Sequence, residues 1–166
     1  YAALRDGNDA VNHHREVLKL DPKYIDAQIT IGLYEYVVGS LPLPIKVLAG
    51  ATGYRGSKKR GLAMLEQVAK EGRWAQDDAK SVLILLYTRE KRYADVLTLT
   101  RELSAKYPRN YLLRLETADA LVALAGVKRK EKDLAGAVQS EKEAFAVFDE
   151  LLRDRTVRDT AAGAFD

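Results

Sequence analysis

The chain has 166 residues, 47% of them apolar and 31% charged, which suits one ordinary domain or one unbroken array of small repeats and not a disordered chain. Its 11 glycines and 4 prolines are too few for collagen or a turn-dense β fold, and the lack of cysteine removes disulfides, thiolate nucleophiles and Cys-ligated metals. Net charge is +3, from 27 basic and 24 acidic side chains interspersed along the chain, which argues against a dedicated nucleic-acid surface. A chain without thiols tolerates reducing and oxidising surroundings alike, so cytoplasm and periplasm or secretion both stay open.

Helical period dominates from the start. The opening, YAALRDGNDAVNHH, reads as helix interior, so a longer parent protein is expected. Val11, Val17, Leu18 and Leu20 mark a helix over about residues 8–20, which Pro22 stops. Residues 23–38 form a second helix, apolar around most of its circumference (Ile25, Ile29, Ile31, Leu33, Val37), which therefore needs cover on two sides. Residues 39–57, with two prolines and four glycines, predict a loop, a short helix over 44–51 and a second loop. Helix resumes over 57–71, with Ser57 as N-cap and Gly72 as stop. Further helices are expected over 75–89, 93–106, 110–125 and 133–153, with residues 126–133 as a linker and a frayed tail over 154–166. No segment alternates with period two, and the run Ser81 to Tyr87 is too short to cross a bilayer. The reading is an all-α chain of about seven to nine helices in one array over 1–166, without separable domains.

A repeat underlies these helices. Pro22 and Pro108 each close a helix in a similar phrase, LKLDPKYIDA and SAKYPRNYLL, 86 residues apart. Two units of about 34 residues leave a surplus of about 18, which matches residues 39–57. The residues resemble the tetratricopeptide repeat (TPR) family. Small, bulky and aromatic packing positions of that family match Ala27, Ile31-Gly32 and Tyr34 or Tyr36, then Gly61, Leu65 and Val68. They continue as Ala79, Leu83, Tyr87, Val96, Leu103 and Pro108, and as Ala118, Leu121, Ala144, Phe148 and Leu151. Val96, Gly61 and Val68 stand where the family has alanine, and Ile84 where it has glycine. The resemblance implies an α-solenoid of helix pairs whose first helices line a concave groove. Its candidate groove positions are Asp26, Ile29, Leu33 and Tyr36, then Asp78, Ser81, Leu85 and Thr88.

No catalytic signature accompanies the repeat, and neither a cofactor nor a metal site is expected. Gly50, Gly53 and Gly56 lack the Gly-Lys-Ser/Thr ending of a phosphate loop. His13 and His14 point about 100° apart on a helix and make a poor chelating pair. Asp77 and Asp78 suit a helix N-terminus, and Trp74 is expected to staple the turn before them. The basic run Lys128, Arg129, Lys130 and Lys132 is expected to solvate an inter-helix turn, with no interleaved aromatic to stack bases. The chain is therefore expected to be a non-enzymatic scaffold binding a protein or peptide. The alternative is an envelope- or membrane-associated assembly factor docking through residues 39–57. Ile45, Val47 and Leu48 of that insertion are expected to fold back over the array.

Overall fold

The computed structural model describes residues 2–51 and 53–154. Among them are eight α-helices, one 3-10 turn and no strand, so the all-α expectation holds. The helices are α1 (Ala2–Leu20), α2 (Gln28–Gly39), α3 (Leu43–Ala51), α4 (Lys58–Glu71), α5 (Gln76–Arg89), α6 (Tyr93–Lys106), α7 (Tyr111–Lys130) and α8 (Leu134–Arg153). The 3-10 turn, Ile25–Ala27, precedes α2 and replaces the first turn of the helix expected from Lys23. The expected frayed tail lies outside the described residues, except Asp154, which caps α8. Two compact units divide at Leu83 and Ile84, inside α5.

In the first unit α2 packs against α1 on one side and α4 on the other, the two-sided cover that its apolar circumference requires. The α2–α4 crossing rests on two glycines. A Cβ on Gly61 would stand 2.5 Å from the carbonyl oxygen of Gly32 and from the amide nitrogen of Tyr36, and one on Gly32 would meet Gly61 at 3.0 Å. Only bare backbone permits so close an approach. Around it Ile31, Tyr36, Leu65 and Val68 are buried, each apolar side chain contributing about 1.5–3 kcal/mol over its exposed state.

In the second unit α7 packs against both α6 and α8. Its core includes Val96, Leu103, Ala118, Leu121, Ala144 and Leu151, all among the positions that the resemblance singled out. One boundary differs from expectation. Residues 126–130 are not linker: α7 runs through Gly126 to Lys130. The basic side chains of that stretch complement the helix C-terminus, and two of them, Lys128 and Arg129, are held by α8, which keeps the last turn wound. Asp133 then caps α8 by accepting from the Gly136 N–H at 2.9 Å.

The insertion also departs from expectation. Leu43, Ile45, Val47 and Leu48 of α3 are 51–76% exposed, and of this helix only Ala49 is buried. They do not fold back over α2, because α1 and α4 already cover it.

Candidate functional site

Two buried carboxylates organise the first unit. Asp26, in the 3-10 turn, accepts backbone N–H bonds from Arg73 (3.1 Å), Trp74 (3.2 Å) and Ala75 (2.9 Å), and so clamps the α4–α5 turn. Burial alone would raise its carboxyl. The N–H donations of Ala75, Arg73 and Trp74, with the charge of Arg73, outweigh that and hold it below the ordinary value of 3.8. Gly72 belongs to the same clamp. It ends α4 in extended conformation (φ −60°, ψ 151°) rather than as a left-handed cap, and a Cβ there would stand 2.6 Å from the Asp26 carboxylate. Glu35, on α2, accepts from the Ser57 N–H at 2.9 Å and from the Arg60 guanidinium at 2.9 Å, and thereby anchors the start of α4. Asp26 falls among the groove positions read from the sequence; Glu35 does not, since an acid within an apolar helix carries no spacing signal.

The other groove positions distribute as follows. Tyr36, like Asp26, is not open to a ligand: it is fully buried, with the Lys58 ammonium 5.7 Å from its ring centroid. Ile29 is half-buried, and Leu33 is 38% exposed. Leu33, Val37, Thr30 and Tyr34 of α2, with Gly7 and Ala10 of α1, line an apolar hollow of about 290 Å³. On α5, Asp78 and Ser81 are exposed, as is Leu85, whereas Thr88 is half-buried and donates to the Ile84 carbonyl at 2.9 Å. Part of the expected stripe on α5 thus faces outward.

The second unit holds a more polar hollow that the sequence reading did not find. It encloses about 360 Å³ between α6, α7 and α8, with Leu121, Ala146 and Val147 supplying apolar wall. Ser104 and Arg114 enter from facing helices, and Ser104 Oγ and Arg114 Nε are buried with no hydrogen-bond acceptor among the described residues. The Arg114 guanidinium is oriented from outside by Asp154 at 2.6 Å, and Arg101 pairs with Glu143 at 3.0 Å beside the opening. A buried donor without an acceptor costs about 1–3 kcal/mol. Both side chains belong to the lining of the hollow, which with Arg101 gives it donor groups beside its apolar wall. Their separation by ten residues across two helices left no local motif to read.

The remaining motifs have structural roles. His14 stands 2.8 Å from the Ala10 carbonyl (Nδ1) and 3.4 Å from the Thr30 hydroxyl (Nε2), bridging α1 to α2, while His13 is exposed. Trp74 is no staple: it is 73% exposed, with the Arg73 guanidinium 5.1 Å from its ring centroid, because Asp26 already fixes that turn through the backbone. The basic run divides: Lys130 and Lys132 are exposed at the end of α7 and in the turn after it, as expected, whereas its first two members are held by α8. Arg129 donates to both Glu141 oxygens, at 2.6 and 2.7 Å, and Lys128 reaches the Ser140 hydroxyl at 3.3 Å.

The fold and these hollows define an all-α array compatible with a helical repeat. Compared with protein-family models, curated proteins and solved structures, the chain matches none.

Proposed function

We propose that this chain is a divergent TPR-type binding module that captures a protein segment and performs no chemistry of its own. The TPR assignment is supported by the burial of the family's packing positions and by the meeting of Gly32 and Gly61, where the repeat expects small residues. One observation carries the binding reading: the hollow between α6, α7 and α8, with apolar wall from Leu121, Ala146 and Val147 and polar lining from Arg101, Ser104, Arg114 and Glu143. Such a hollow suits a peptide that offers an acceptor, either a backbone carbonyl or a side-chain carboxylate, next to a small apolar side chain. The exposed Asp78 and Ser81 of α5 remain a second contact surface for the same kind of partner.

A peptide-array screen with the full chain tests this reading. Selected peptides are expected to lose affinity at least about tenfold against Ala146→Trp, which plugs the opening from an exposed position. Ser104→Ala is expected to weaken binding while leaving the thermal midpoint unchanged or slightly higher, because it removes a donor that has no acceptor in the free protein. Peptides that bind all three proteins equally would remove the hollow from the argument, and an array without binders would overturn the reading.

A further inference from the structure

An outward apolar helix in a sequence stretch with no acid sets α3 apart from the other elements. On a helical wheel Leu43, Pro44, Val47, Leu48 and Ala51 share one face about 140° wide. All five are exposed: Leu43 by 76%, Val47 and Leu48 by 65% each. The opposite side holds Ala49, which is buried, Lys46, whose ammonium donates to the Gly39 carbonyl at 3.0 Å, and Ile45, which is 51% exposed. The usual order of an amphipathic surface helix is thus reversed, with the apolar face turned to solvent. Its charge setting is one-sided. Residues 36–65 contain no Asp or Glu, and their only charges are Lys46, Arg55, Lys58, Lys59 and Arg60.

The cations gather where α3 is attached. A Cβ on Gly39 would touch the backbone of Ser57 and Lys58, so the start of α4 lies against the end of α2. Lys46 ties α3 to that same residue, Gly39. Glu35 neutralises Arg60 there, whereas Arg55 and Lys59 are exposed.

We infer that α3 is a docking helix for an anionic bilayer surface, lying in the interface with Leu43, Val47 and Leu48 in the acyl boundary and Arg55 and Lys59 at the headgroups. The chemistry of the face selects lipid over protein. Leu43, Pro44, Val47, Leu48 and Ala51 offer no side-chain donor or acceptor, and no aromatic, Met or Arg anchor, whereas protein interfaces carry regular hydrogen bonds and depend on such anchors. An interfacial helix needs only apolar area and nearby cations. Nine residues span about 14 Å, far less than a bilayer core, and no described helix is long and apolar enough to cross a membrane. The insertion therefore lies on the surface. This inference stands independently of the peptide reading.

Vesicle flotation of the full chain tests it, with phosphatidylcholine alone and with phosphatidylcholine containing phosphatidylglycerol. The protein is expected to float with the anionic vesicles, to float less as salt rises, and to stay largely free of the neutral ones. The double substitution Val47→Asp and Leu48→Asp is expected to lower partitioning at least about tenfold. Lys59→Glu is expected to lower it at least about fivefold, on anionic vesicles only. Both variants should melt at the wild-type temperature. Four outcomes would overturn the inference: no flotation; flotation that ignores lipid charge or the double variant; a lowered melt of the double variant, which would mean that the face is covered; or a wild-type dimer that the double variant turns into a monomer, which would assign the face to a second copy.

Discussion

Asp26 is the side chain on which the first unit most depends, because it is a buried charge satisfied wholly by main-chain donors. Asparagine is nearly isosteric, but it would accept with one oxygen and turn an amide toward the N–H groups of Arg73 to Ala75. Asp26→Asn is expected to cost about 1.5–3 kcal/mol, the range for hydrogen bonds to a charged group, readable as a fall in the urea midpoint. The pH dependence follows from the direction of the shift. The folded carboxyl titrates below its unfolded value, so its contribution is complete above that value and is lost as pH falls through the folded one. Acid unfolding of the wild type should therefore steepen below about pH 4, and Asp26→Asn should flatten that part of the curve. A mutant curve parallel to wild type would show that Asp26 takes no part in it. The same unit is strict at Gly61, where an alanine methyl would run into the backbone of Gly32 and Tyr36. Gly61→Ala should lose about 1–3 kcal/mol by thermal melting.

Helix boundaries followed local chemistry where local chemistry decided them. Ser57 caps α4 and accepts from the Arg60 N–H, as its place before a helical run predicts. Period alone also located α6. Elsewhere a partner decided. Gly126 looked like a helix end, yet α7 passes through it, because Arg129 and Lys128 are held by Glu141 and Ser140 of α8. This yields a test opposite in sign to that at Gly61. A Cβ on Gly126 would meet nothing within 4 Å, so Gly126→Ala should stabilise by about 0.5–1 kcal/mol through helix propensity and reduced unfolded-state freedom. A lowered melt would show that the glycine is needed for a bend or a contact. The short α3 was expected where it stands, but its exposure was not, since an apolar segment reads alike whether it is covered or waiting for a surface.

Both units draw on α5, and the turn before it belongs to the first unit through Asp26. Separating the chain between Gly72 and Ala75 would leave Asp26 a buried carboxylate without the Arg73 to Ala75 donors, and would take Ala79 and Leu83 from the first unit's core. The two pieces, expressed apart, are expected to be insoluble or to lack a sharp thermal transition. Two soluble pieces with cooperative melts would show that the first unit needs neither α5 nor the Asp26 clamp.

Composition and period alone were enough for the all-α class and the main helices, and the resemblance to a helical repeat marked small and bulky positions that become the core, from Ala27 and Ile31 to Ala144 and Leu151. These features are legible because each depends on neighbours within one or two helical turns, where spacing of three or four residues means contact. Tertiary structure decided what becomes of the polar and exposed residues. It buried Asp26 and Tyr36 out of the expected groove and opened α3 to solvent. It also brought Ser104 and Arg114 to one hollow. Those outcomes turn on partners as many as 49 positions away, such as Ala75 for Asp26, and on which helix faces are already covered. Neither leaves a periodic trace in a single chain.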